Sequence, residues 1–139
     1  MDGKPKFDLS TFNPDYFDRL RQRALSAGEK EIYVAVMLFE GWAVQHVENG
    51  FQAHPFHRDN NINGIDGDQN GDGKGLEVHE LVVPEITQLQ EAYVKKVIDT
   101  VNDLDNVLFE ISNENHPAST AWQYHMINVI HAYETTKPK

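Results

Sequence analysis

The sequence contains no cysteine, which removes disulfides, zinc–thiolate centres and thiol nucleophiles together. Positive charge is scarce: 12 Lys and Arg stand against 22 Asp and Glu, a formal net charge of −10. Nucleic acids and anionic membrane surfaces both reward positive charge, so neither is expected as a partner. Neutral ligands and cations are favoured. No apolar run approaches the roughly 18 residues of a membrane span, and Met1-Asp2-Gly3-Lys4 does not read as a signal peptide. What is present is ordinary globular material: 139 residues, 40% hydrophobic and 24% charged. A single domain of this length buries about two-thirds of its unfolded surface, which is enough for a real core.

After a lead-in segment without clear period, Asn13-Pro14 reads as a helix start, with a capping oxygen followed by a residue that needs no hydrogen bond there. Tyr16, Phe17, Leu20, Ala24 and Leu25 continue at helical spacing, and Gly28 is a plausible stop. Residues 32–39 (IYVAVMLF) form an unbroken apolar run rich in β-formers, as a strand covered on both faces requires. Residues 107–112 (VLFEIS) predict a second strand. Between them Ile86, Leu89, Tyr93, Val97, Ile98 and Val101 make one stripe of a long helix behind Pro84. A last helix is expected from about Ser119 to Tyr133. Thr120 and Gln123 stand at capping-box spacing there, and Trp122, Met126, Val129, Ile130 and Tyr133 form its apolar face.

Strands alternating with helices imply an α/β fold built from βαβ units. Two strands are too few for an independent sheet covered on both faces. Either further strands lie in the long 41–83 segment, or copies of the chain complete one another, or the chain is a piece of a larger fold; the last is favoured.

Within that segment, residues 66–77 (DGDQNGDGKGLE) fit the twelve-residue calcium loop. Asp66, Asp68 and Asn70 stand at positions 1, 3 and 5, Gly71 at 6, Asp72 at 7 and Glu77 at 12. Calcium takes six to eight oxygens, glycine permits the sharp turn, and the last glutamate binds with both oxygens. The bland reading is a solvated acidic turn. Residues 61–65 cannot form an entering helix, so a structural Ca²⁺ that organises a loop with few apolar anchors is expected, rather than a sensor.

Asn113-Glu114 follows the second strand at once. Period-two alternation puts Glu110, Ser112 and Glu114 on one face, with Phe109 and Ile111 on the other. Two carboxylates on one strand face suit a polar site; Glu114 reads equally as a solvated loop acid before Pro117. Trp42, just past the first strand, suits stacking on a sugar ring or loop packing, whereas Trp122 on its helical stripe reads as core. His54, His57 and His79 match no standard metal spacing. His57 or His79 is a candidate hydrogen-bonding group for a substrate; His116 is a candidate to tune Glu114 or touch a sugar, but reads first as an exposed loop histidine.

The run NVLFEISNENH closely resembles the fourth strand of retaining glycoside hydrolases of the (β/α)8-barrel clan that includes many cellulases and mannanases. FNPDYFDRLRQRALSAGEKEIYVAVMLFEGW looks like helix two and strand three of that clan. NGIDGDQNGDGKGLEVHEL and LQEAYVKKVIDTVNDLDNV look like the following loop and helix three. The resemblance spans nearly the whole chain and implies a partial TIM barrel, about two βα units from helix two to helix four. It implies Glu114 as general acid/base, Asn113 as the neighbour that orients the sugar's 2-hydroxyl, and β-linked carbohydrate as substrate. It places Glu110 among the inner barrel layers, and Glu40, Trp42 and the 41–83 loop on the active face.

The clan also needs a nucleophilic carboxylate at the end of strand seven, and these 139 residues hold no counterpart. Glu40 is the candidate stand-in, because retention needs two carboxyls about 5–5.5 Å apart. Self-association into a dimer or tetramer is expected to complete the sheet. The alternative is a calcium-stabilised carbohydrate-binding or structural fragment without turnover. Enzymes of the clan are often exported, although no leader is visible here.

Overall fold

The computed structural model describes residues 5–138. Helix α1 spans Pro14–Gly28. The Asn13 side chain accepts a hydrogen bond from the Asp15 N–H at 3.0 Å, which gives the helix the cap its sequence predicts. Gly28 matters for proximity: a Cβ there would press on the Asn106 side chain at 3.2 Å. Asn106 in turn donates to the Ala24 and Ile32 carbonyls and ties the helix end to the strands.

Strand β1 (Val34–Glu40) begins two residues later than the apolar run suggests. The Ile32 N–H returns to the Ala27 carbonyl at 3.0 Å, and Glu31 takes a positive φ of 57°. Ile32 therefore closes the helix end, and both Ile32 and Tyr33 lie exposed. Five-residue helix α2 (Trp42–His46) follows. Helix α3 (Pro84–Val101) returns along the sheet, strand β2 (Val107–Asn113) pairs parallel to β1, and helix α4 (Thr120–Glu134) ends the fold. The register joins Val34 to Val107 and Glu40 to Asn113, so both strands end at the same level.

The chain is thus mixed α/β with four helices and one two-stranded parallel sheet among the described residues. Phe17 and Ala24 of α1, Val36 and Leu38 of β1, Val94, Val97, Ile98 and Val101 of α3, and Trp122, Met126 and Ile130 of α4 make one core. Full burial of side chains this size stabilises by about 1.5–3 kcal/mol each. The opposite sheet face is open: Met37 is 44% and Leu108 58% exposed, with Ala35 and Glu110 exposed beside them. Glu110 therefore meets solvent.

The capping box expected at Thr120 and Gln123 does not form. A 3-10 turn (Pro117–Ser119) precedes α4, so the Thr120 hydroxyl donates to the Pro117 carbonyl. Gln123 donates instead to the buried Ser119 hydroxyl at 2.8 Å.

The 41–83 segment holds no third strand; an isolated parallel bridge joins Asn61 to Phe7. Contrary to the sequence reading, it does carry apolar anchors. Phe51, Val78, Val83 and Ile86 form a second core, with Phe56 and Ile65 packed on it. Buried Asn61 organises this segment: its amide donates to the carbonyls of Pro55, His57 and Ile65 and its oxygen accepts the Ile65 N–H. Four bonds replace the ladder a loop lacks. Gly75, at a φ of +60°, lies so close to the Phe51 ring that any Cβ would overlap it.

Candidate functional site

The parallel register brings the ends of β1 and β2 together, and with them Glu40, Trp42, Asn113 and Glu114 of the sequence's site residues. Glu40 Oε1 accepts the Trp42 N–H at 2.7 Å and the Ala43 N–H at 3.2 Å, which caps α2. The Asn113 amide reaches the same oxygen at 3.4 Å, and the Gly41 N–H continues the ladder onto the Asn113 carbonyl at 3.1 Å. Gly41 has to be glycine, since a Cβ would stand 2.8 Å from that carbonyl oxygen and 2.7 Å from Asn115 Cγ.

Glu114 comes next, exposed and with a positive φ of 39°. A non-glycine residue is held in that region only when its surroundings require it. The holders are visible on both sides: Gln45 donates to the Glu114 carbonyl at 3.3 Å, and the Asn115 amide donates to Ser112 Oγ at 3.0 Å. Trp42 is 45% exposed, its ring 6.0 Å from that of His46, and it presents an aromatic surface beside the strand ends. Trp122 is core, as its stripe predicts; its indole N–H donates to buried Gln90 at 2.8 Å.

Two histidines sit differently from expectation. His116 is buried and anchors the long loop: Nε2 is 3.1 Å from the Leu76 carbonyl, and Nδ1 is 3.9 Å from a Glu80 oxygen. A ring so engaged is not a free sugar contact. His57 Nδ1 accepts the Asp59 N–H at 3.2 Å, and its ring lies 5.4 Å from that of Phe51, so it serves loop packing. His125, without an evident partner in the sequence, bonds Glu91 at 2.8 Å.

A cavity of about 490 Å³ opens beside β1, lined in part by Leu38, Phe39, Glu40, His54, His79 and Tyr93. His79 is buried with its ring 4.7 Å from that of Trp122, and its Nδ1 has no partner. Burial pushes it down to about 3, and the nearby His54 and His116 rings act in the same direction. Burial likewise lowers His54 to about 4. Burial raises the Tyr93 hydroxyl, and the Tyr16 hydroxyl at 3.1 Å adds to this. These neutral side chains, His54, His79 and Tyr93, come from two parts of the long loop and from α3 and meet in an apolar wall, so no local spacing reveals them.

Among the described residues, no three His, Asp or Glu side chains converge as a ready metal cage. The 66–77 loop instead holds its acidic groups on its own backbone amides. Asp68 alone accepts from the N–H groups of Gly71, Asp72 and Gly73. No family model matches this sequence, and neither a curated protein nor a solved structure does.

Proposed function

We propose that the chain belongs to a retaining glycoside hydrolase acting on β-linked carbohydrate, with Glu114 as general acid/base. The observation that carries this reading is the end of the paired strands. The Glu40–Asn113 register gathers Glu40, Trp42, Asn113 and Glu114 at one edge, and Glu114 is held there at positive φ. The resemblance of NVLFEISNENH to the clan's fourth strand supports the same assignment, and a (β/α)8 barrel is the parent architecture it implies.

In this mechanism Glu114 protonates the glycosidic oxygen as a carboxylate attacks the anomeric carbon, and then takes a proton from the water that releases the sugar. Asn113 orients the 2-hydroxyl, and Trp42 offers its face to a sugar ring. Glu40 is the stand-in nucleophile. Its Oε1 is committed to the α2 cap, which leaves Oε2 for chemistry. The two unpaired strand edges are where further strands would add, supplied by a second copy in a dimer or tetramer, and the open sheet face is what such an assembly would cover.

The second reading is a carbohydrate-binding or structural unit without turnover, and the capping role of Glu40 favours it. Hydrolysis of β-linked aryl glycosides and soluble glucans, measured for wild type beside Glu114→Gln with particle size recorded on the same samples, decides between them. Activity lost in the variant supports the acid/base role. Equal activity in both refutes it, and no activity in either favours the second reading.

A further inference from the structure

The 66–77 loop carries an arrangement different from the one its spacing suggests. Three alternate side chains fold over their own backbone. Asp68 Oδ1 accepts from Gly71 and Asp72, both at 3.1 Å, and Oδ2 from Gly73 at 2.9 Å. Asn70 Oδ1 accepts the Asp72 N–H at 2.8 Å, and Asp72 Oδ1 the Lys74 N–H at 2.9 Å. Gly71 and Gly73 both turn at positive φ, +74° and +79°. The N–H of Gly73 is the one held by Asp68 Oδ2, so the repeat runs Asp68, Asn70, Asp72 and then Gly73. Asp66, first in the sequence match, makes the same two-residue bond as Asn70 and Asp72, its Oδ1 accepting the Asp68 N–H at 3.2 Å, but it gathers no further amide as Asp68 does, and its Oδ2 lies 3.8 Å from Arg58.

A second, independent observation is Glu77, which is only 8% exposed. Its Oε1 accepts the Asn70 N–H at 3.1 Å, so the carboxyl lies against the loop. Its Oε2 is buried with no hydrogen-bond partner. A buried carboxylate oxygen without a donor is costly, and among the described residues no group answers it. A cation would.

We infer that this loop is a Ca²⁺ site in the Asp68 register, with Asp68, Asn70 and Asp72 as side-chain ligands and Glu77 as the closing carboxylate. Asp66 orders the loop from outside through the Asp68 amide and Arg58. In this register His79 occupies the twelfth position and is buried beside Trp122, so the closing oxygen comes from Glu77, two residues earlier. Asp68 can keep its amide bonds while ligating, because a carboxylate has about four lone-pair sites. An all-oxygen set on a glycine-rich turn suits a hard, large cation. Mg²⁺ demands a stricter octahedron and keeps its waters.

The site adjoins the 3-10 turn Leu76–His79. That turn's Leu76 carbonyl contacts His116, two residues beyond Glu114, and its Val78 carbonyl accepts from Gln90. The cation therefore fastens the long loop to the strand-end segment.

The test is calorimetric titration of chelator-treated full chain with CaCl₂ and MgCl₂, with melting temperature and circular dichroism on the same samples. Wild type is expected to bind one Ca²⁺ in preference to Mg²⁺ and to melt at higher temperature with it. Asp68→Asn and Glu77→Gln are each expected to weaken Ca²⁺ by roughly tenfold or more, and Asp66→Asn by less. Glu77→Gln removes the orphaned charge, so in chelator it is expected to melt no lower than wild type, which separates ligation from misfolding. Folded wild type that gives neither heat nor a melting shift with millimolar CaCl₂ overturns the site. Loss of binding in Asp66→Asn with retention in Asp68→Asn overturns the register.

Discussion

Acidification is expected to unfold this protein earlier than its carboxylates alone require, because two histidines are held neutral. His79 is pushed down to about 3 and His54 to about 4 by burial. In the unfolded chain both titrate near 6.5. The unfolded state therefore binds more protons as pH falls below 6.5, and stability falls with it. The stabilisation is complete above pH 6.5 and drains away through the window down to about pH 4 for His54 and about pH 3 for His79. Each histidine removes about 1.4 kcal/mol per pH unit in that window. Because the unfolded histidines are only half protonated at pH 6.5, the pair takes about 3 kcal/mol between pH 6.5 and 5, against the 5–15 kcal/mol typical of a whole domain. Urea midpoints at pH 7.5, 6.5, 5.5 and 5.0, at fixed calcium, measure this directly. His79→Phe keeps an aromatic ring against Trp122 and removes the unpartnered Nδ1, so its slope with pH is expected to halve. Equal urea stability at pH 7.5 and 5, or an unchanged slope in His79→Phe, would refute the reasoning.

Two further perturbations are specific. Gly41→Ala forces a methyl group onto the Asn113 carbonyl and Asn115, so the strand ends must part; we expect a loss of about 1–3 kcal/mol in chemical denaturation and, where wild type hydrolyses glycosides, loss of that activity. Trp122→Phe strips the indole donor from Gln90 Oε1, which lies in a fully buried pair. A cost of about 1–3 kcal/mol follows from the unsatisfied acceptor, and Trp122→Phe with Gln90→Met should recover part of it in a double-mutant cycle.

Much of the frame is readable from residue order. Asn13-Pro14 predicts the start of α1, the stripe from Ile86 to Val101 predicts α3, and the alternation around Phe109 predicts which side of β2 packs. These are local signals, carried by side-chain period and by capping chemistry, and neighbours along the chain suffice to produce them. The strand-end group of Glu40, Asn113 and Glu114 is also legible, because parallel strands of equal length bring their ends level.

Other features depend on contacts between distant segments. Ile32 looks like strand, yet its N–H is taken by the helix end. Thr120 and Gln123 stand at capping-box spacing, yet the turn at Pro117 has already claimed the threonine hydroxyl. His116 looks like a loop histidine until the loop folds back and presents the Leu76 carbonyl. Spacing alone fits the calcium pattern from Asp66; the amides folded around Asp68 point to the other register, and the buried Glu77 oxygen points to a cation in either. By itself the sequence determined the periodic elements and the ends of the strands, because those follow from neighbours in the chain. Which polar groups are buried, paired or left without a partner was decided only when segments tens of residues apart closed on one another, since burial and desolvation belong to the packed molecule and not to any stretch of it.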